Sequence, residues 1–417
     1  MSKKIVGVVI AGMSSVALAQ SNVTIYGVAD VSIQGKSASS GTAGQGVQVN
    51  GSKAEVQSNT SMLGFKGTED LGNGLKALFQ LETFVNLTGA MTGAAGSPPN
   101  GSPAFNNGTT FGGMRDSFVA ISGKPGTLKM GYLSTPYRAA LAPYDIFPDG
   151  SGDARIDTIF TTTKLGNGNS VSGSATTNAL TQSAFIRTTG INYALPANAW
   201  GINGAIAYSG SNNNGSTNAL NATNPYTNAN SIFGVSLGWS GYGVSVSSAF
   251  QQQKINTGVA GTIGLISGAS NYLLAASYTG IPGLKVAAAY NRSLLNFNSS
   301  NTVAAAQGVS NGVWFGTSYR FGNNEPRFVY ANTGNTSGLN VAYSGSQIGQ
   351  NGASQYGFGW AYYLSKRTQV YGIVSQINNR ANGIYDFSNA PFNNSSTTVL
   401  NGGNTMRTYG AGMRMNF

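Results

Sequence analysis

Tyr409-Gly410-Ala411-Gly412-Met413-Arg414-Met415-Asn416-Phe417 closes the chain. Strand side chains alternate between two faces. Tyr409, Ala411, Met413, Met415 and Phe417 therefore share one face, and Thr408, Gly410, Gly412, Arg414 and Asn416 the other. One face is apolar and ends on an aromatic; the other is small, polar or charged. That pattern suits an outer-membrane barrel, whose last strand turns its apolar side to lipid and its polar side to a wet lumen. Tyr409, Met413, Met415 and Phe417 are expected to close the barrel and to be read by the barrel-assembly machinery. The opposite end of the chain follows the same logic. Val23, Ile25, Ala29, Val31 and Ile33 alternate with Thr24, Asp30, Ser32 and Gln34, as a first strand closing against the last should.

Ahead of that strand, Lys3 and Lys4 precede an apolar run from Ile5 to Leu18, and Ala17-Leu18-Ala19 fits the small-x-small rule. Residues 1–19 read as a secretory signal peptide and 20–417 as the barrel. The run is short for a membrane anchor, and no stop-transfer sequence follows it.

Composition agrees with a barrel. Mean hydropathy is close to neutral, as expected of strands that are only half apolar. Charged residues make up 8% of the chain, against a usual share of about 25%. Glycine is abundant at 59 of 417, and 20 Tyr and 19 Phe supply material for aromatic girdles. The hydrophobic share of 41% argues against disorder. Cysteine is absent, so an exported chain must be held by something other than disulfides; a closed sheet with every strand paired can do that. Histidine is absent as well, which removes Ser-His and Cys-His catalysis and most zinc sites. No enzyme activity, cofactor or metal is expected, although acidic loops leave calcium open. The net charge of +11 is scattered rather than striped. It points to a basic lumen or to attraction toward lipopolysaccharide in the outer-membrane lipid, and not to nucleic acid.

Short turn-forming segments alternate with long Gly/Asn/Ser-rich ones. The short ones are 67–74, 124–126, 166–169 (the weakest), 196–198, 240–243, 281–283, 322–326 and 365–368. The long ones include 88–113, 210–230, 254–269, 296–311 and 379–404. Short turns on one side and long loops on the other are the mark of an outer-membrane barrel. A repeat-built soluble β-fold would need a short sequence period, which is not found. Eight short turns and two end strands give about eighteen strands.

Ser61-Met62-Leu63-Gly64-Phe65-Lys66-Gly67-Thr68-Glu69-Asp70-Leu71-Gly72-Asn73-Gly74-Leu75-Lys76-Ala77 resembles the signature of the general diffusion porins of betaproteobacteria and Neisseria. Val23–Gly27, Phe118–Gly123, Gly126–Gly131, Leu364–Tyr371 and Met413–Phe417 resemble other parts of the same family. The resemblance implies an all-β transmembrane antiparallel barrel that assembles as a homotrimer. It implies a third extracellular loop folded into the lumen, and usually sixteen strands; sixteen and eighteen both stay open. Small hydrophilic solutes and ions are the implied cargo.

In such a pore, charged side chains at the narrowest level set which solutes pass. The third loop is expected over Ser134–Arg155, with Asp145, Asp149 and Asp153 facing a basic wall, and with Arg138 and Arg155 inside or beside it. Alternation places Lys76, Gln80 and Glu82, Met62, Gly64 and Lys66, and Asp30 and Arg414 toward the lumen. Arg115 opens a strand whose alternation is too mixed to assign a face. Met62 and Tyr132 stand where the family often has Arg, so they belong to the candidate wall and weaken its basic character. The expectation is a weakly anion-selective diffusion pore with an aromatic-lined constriction. The alternatives are a channel for one solute class, such as sugars or organic anions, and adhesion by the long loops. Glu69-Asp70 is read as turn chemistry rather than as a catalytic carboxylate pair.

Overall fold

The computed structural model describes residues 22–39, 41, 51–88, 111–147, 153–165, 180–196, 198, 200–210, 229–255, 266–297, 306–338, 349–387 and 402–417. The expected signal peptide lies outside them. Strand β1 (Asn22–Ala38) is followed by β2 (Gly51–Ser58), β3 (Met62–Gly72), β4 (Leu75–Val85), β5 (Phe111–Met114), β6 (Ser117–Gly123) and β7 (Gly126–Ser134). After β7 come helix α1 (Pro136–Leu141), a 3-10 turn at Ala142–Tyr144, and the short strands β8 (Thr162–Leu165) and β9 (Leu180–Ser183). The remaining strands are β10 (Arg187–Ala194), β11 (Ile202–Ser209), β12 (Ala229–Gly241), β13 (Val244–Ile255), β14 (Ile266–Tyr278), β15 (Leu284–Phe297), β16 (Ala306–Tyr319), β17 (Asn324–Thr333), β18 (Ala353–Tyr363), β19 (Thr368–Asn379) and β20 (Thr405–Asn416).

All but β8 and β9 belong to one antiparallel sheet, which closes where β1 pairs with β20 from Val28↔Asn416 to Ala38↔Met406. The barrel has sixteen staves. One half of β1 pairs with β3 and the other with β2, so β2 and β3 are a single stave interrupted at Asn59–Ser61. β5 and β6 both pair with β4 and are likewise one stave, broken at Arg115–Asp116 with a register shift beside Thr83 and Phe84. The higher count came from 166–169. That segment lies outside the described residues, and its flanking strands β8 and β9 pair only with each other. The other seven short turns each join two neighbouring staves. In the first, Asn73 and Gly74 have φ of 54° and 77°, the left-handed pair that tight hairpins require.

The outer wall is apolar and exposed. Leu81, Val119, Ile121, Leu237, Leu274, Phe358 and Val374 are each more than half exposed. So wide an apolar surface is suited to hydrocarbon and would drive aggregation in water. The core lies inside the barrel and is built from the connection between β7 and β10. This third long loop spans 135–186, well past the expected end at Arg155. Thr135 caps α1 by accepting the Arg138 N–H, and Pro136 occupies the first turn. Tyr137, Leu141, Tyr144, Ile146, Phe147, Ile156, Ile159 and Phe160 then pack against Ala, Val and Ile side chains of the facing wall.

That wall is shaped to receive the loop. A Cβ on Gly359 would stand 2.6 Å from the Phe147 ring, and one on Gly316 would stand 2.5 Å from Ile146. Polar ties complete the seat. Tyr137 donates to Asn291 Oδ1 (2.7 Å) and Tyr144 to Ser247 Oγ (2.8 Å). Lys285 Nζ donates to the Pro143 and Asp145 carbonyls (2.9 Å each). Gln251 and Gln355 donate to the Ala184 and Asp153 carbonyls. These bonds answer buried loop carbonyls that would otherwise go unpaired.

Candidate functional site

With the loop seated on the β12–β19 side, a polar cavity of about 420 Å³ remains between it and the opposite wall. Its lining includes Arg115, Asp116, Ser134, Arg138, Asp145, Arg155, Phe185 and Arg187. Two arginines come from the wall and two from the loop.

On the wall, the break between β5 and β6 delivers Arg115 and Asp116 together, as bulges re-aim side chains. Arg115 Nε lies 3.3 Å from Glu82 Oε2, and its guanidinium stands 4.9 Å from the centre of the Phe84 ring. Glu82 also accepts Tyr26 Oη (2.7 Å) and Gln80 Nε2 (2.9 Å). Asp116 Oδ1 accepts Arg187 Nε (2.7 Å), the Ser134 N–H and the Ser134 hydroxyl (2.9 Å each). On the loop, Arg138 donates to the Phe185 carbonyl (2.9 Å) and stacks 3.9 Å from that ring's centre. Arg155 forms a two-pronged pair with Asp157 and lies 5.9 Å from the same ring.

The site is crowded with positive charge. Burial, then the Arg187 and Arg155 charges, hold the Arg138 guanidinium well below its usual pKa. Asp145 faces the same cavity. Desolvation first, and the Asp157 carboxylate second, push it up to about 7, against the opposing pull of the Phe147 N–H and of Arg155.

The expected site residues divide between this cavity and other places. Arg115, Arg138, Arg155 and Asp145 line it, and Glu82 is joined to it through Arg115. Asp153 is not. It is tied to β1 instead, with φ 60°, fully buried, with Oδ2 2.7 Å from Lys36 Nζ. Lys36 also meets Glu55 at 3.0 Å and lies over the Phe387 ring. Asp149 lies outside the described residues. Lys66 on β3 stands 4.9 Å from the Tyr26 ring, and Met62 begins β3, in register with Val28 and Phe84. Tyr132 is buried, in register with Ser117 and Thr189, and shares the parity of the outward Leu128 and Met130 rather than lining the cavity.

Arg414 faces inward at the closing seam. There it meets Asp30 Oδ2 (3.4 Å), while Asp30 Oδ1 accepts Tyr371 Oη (2.6 Å) and Asn59 Nδ2 (3.1 Å). Tyr409, Met413, Met415 and Phe417 all face outward and are exposed. Phe417 exchanges both backbone hydrogen bonds with Gly27 (3.0 and 3.1 Å). Sequence reading missed Asp116, Asp157, Phe185 and Arg187. Each sits at a strand end or in the loop, where alternation carries no signal.

The model of the Gram-negative porins matches residues 7–382. Outer membrane porin protein 32 of Delftia acidovorans is 34% identical over 149 residues, which cover 35% of this chain and 36% of that protein. Major outer membrane protein P.IB of Neisseria gonorrhoeae is 31% identical over 150 residues, 36% of this chain and 37% of that one. The matched stretch thus spans little more than a third of these curated relatives. The structural likeness is broader: an anion-selective porin from Comamonas acidovorans superposes with a TM-score of 0.64 at 21% identity, covering 95% of this chain and all of the other. A trimer form of OmpT from Vibrio cholerae gives 0.55 at 12% identity, covering 95% and 99%.

Proposed function

The chain belongs to the Gram-negative porin family and is an outer-membrane β-barrel, and from that premise we propose that it is a weakly anion-selective diffusion channel for small hydrophilic solutes and ions. One observation carries the selectivity. Arg115 and Arg187 on the wall and Arg138 and Arg155 on the loop converge on one cavity, whose lining supplies two carboxylates, Asp116 and Asp145. Asp116 is engaged by Arg187, and Glu82 and Asp157 by Arg115 and Arg155. Those three pairs leave Arg138 facing Asp145, whose carboxyl is held up at about 7; while it is protonated one positive charge is left over, so anions are weakly favoured and cations are not shut out.

Residues 1–19 serve as signal peptide. The barrel assembles as a homotrimer, a state that the OmpT structure also adopts. Its closing strand is handed to the barrel-assembly machinery through Tyr409, Met413, Met415 and Phe417. Replacing Arg138 and Arg187 together by Gln is expected to bring chloride and potassium permeabilities close to equal in planar bilayers while leaving an open pore. An undiminished anion preference in that variant would show that the arginine cavity does not set the selectivity.

A further inference from the structure

Of the four arginines that line the cavity, three have a carboxylate partner: Arg115 pairs with Glu82, Arg155 with Asp157 and Arg187 with Asp116. Among the described residues no carboxylate forms an ion pair with Arg138. It is buried all the same, and desolvation, then the Arg187 and Arg155 charges, work against its charged form. A buried cation in such company needs partners. Phe185 supplies two. Its carbonyl accepts from Arg138 Nη1 (2.9 Å), and the Arg138 guanidinium lies over its ring, 3.9 Å from the centre. An aromatic face attracts a guanidinium through its quadrupole, and more strongly where water is excluded. The ring is itself held. Phe185 is buried, in the short segment between β9 and β10. The Ser183 and Ala184 carbonyls accept Gln253 Nε2 and Gln251 Nε2 of β13 (3.1 Å each). The Ala184 N–H donates to the Thr161 carbonyl (3.1 Å), and the Ile186 carbonyl accepts the Thr135 N–H (3.2 Å). Thr135 also caps α1, the helix that carries Arg138, so the ring and the guanidinium it holds are anchored at one residue.

We infer that Phe185 is a positioning residue that determines selectivity: its ring and carbonyl stand where a carboxylate would otherwise hold Arg138, and fix that guanidinium at the cavity with its charge uncancelled. The inference rests on the arginine cavity being the anion filter. A carboxylate in the same place would fix Arg138 as well, but would leave no net charge for a passing anion to feel. An aliphatic side chain would leave only the carbonyl. The guanidinium could then turn toward Asp116 or Asp145, the two acids of the cavity lining, and its charge would be cancelled there. Arg155 lies 5.9 Å from the centre of the same ring, so the platform also bears on the second loop arginine.

The test reads the zero-current potential of the full-length protein in planar bilayers under a KCl gradient at pH 6, below the Asp145 pKa of about 7. Wild type is expected to prefer chloride. Arg138→Gln removes the unpaired charge and sets the floor. Phe185→Leu is expected to lower the chloride-to-potassium permeability ratio to that floor, although no charged residue has been changed. A phenylalanine fluorinated around its ring, introduced at position 185, keeps the shape and loses the negative face. It is expected to lower the ratio in the same way, which a side chain that merely fills space would not do. The heat-modifiable gel shift of a folded barrel is checked for each protein, and the fluorinated ring carries the test alone if Phe185→Leu does not fold. A chloride-selective wild type whose fluorinated variant keeps its ratio, while Arg138→Gln loses it, overturns the inference and leaves the arginine filter standing. An unchanged ratio in Arg138→Gln also overturns it, because the unpaired charge then does not set the preference. A wild type without chloride preference overturns the filter and this inference together.

Discussion

Asp145 is the residue on which the charge of the cavity turns with pH. Its folded pKa of about 7 lies above its ordinary 3.8, so it is neutral below pH 7 and anionic above. Chloride preference is therefore expected to rise as pH falls from 8 to 6, because a carboxylate is lost while the arginines stay charged. Asp145→Asn should show the low-pH preference at every pH; reversal potentials across that range check both. The sign for stability is the same. Between these two pKa values the folded state holds the proton more tightly than the unfolded chain, so this group's contribution falls as pH rises. Single residues were legible where a strand's alternation was clean. Lys66, Glu82, Asp30 and Arg414 were placed inward on parity alone. Arg187 and Asp116 escaped because one opens a strand and the other sits in the break between two, where period-two counting has no purchase. Arg414 shows the limit of parity: it gave the face and left open whether the partner would be a solute or Asp30.

Among the elements, the third loop decides how much lumen is left. Its seat depends on glycines that leave room for Ile146 and Phe147. Gly359→Leu is expected to displace Phe147 and the segment beside it, and to raise single-channel conductance; an unchanged conductance would show that the wall does not hold the loop. The Lys36–Asp153 pair ties the same loop to β1. Removing one partner of a buried ion pair costs roughly 3–5 kcal/mol, and the Glu55 contact that Lys36 keeps places Asp153→Ala near the lower figure, about 3 kcal/mol. Open-channel current noise should increase in that variant as the loop loosens. Neither tie could be read from the sequence, since both join residues more than a hundred positions apart. The hairpins could be read, because each turn carries its own Gly, Asn or Pro chemistry. The one miscounted turn falls inside the loop, after β8, a strand that pairs with β9 and not with the barrel.

At the level of the whole molecule, closure rests on Phe417 and β1. Gly27 exchanges both backbone bonds with Phe417, and a Cβ at Gly27 would stand 2.4 Å from the Phe417 ring. Gly27→Val is expected to slow barrel formation and reduce the heat-modifiable fraction on gels; deleting Phe417 should do the same by leaving the Gly27 N–H and carbonyl unpaired in a membrane. The architecture was legible at both ends of the chain because lipid outside and water inside impose one alternation on every stave. The charge of the lumen was less legible, because it is set by how one loop crosses it. Chloride preference at the arginine cavity is decided by the zero-current potential of wild-type channels in a planar bilayer under a KCl gradient at neutral pH. The arginine-lined cavity predicts a modest potential with the dilute side negative, the sign of chloride preference. A dilute side that is positive would mean potassium preference and would rule out an anion-favouring lumen.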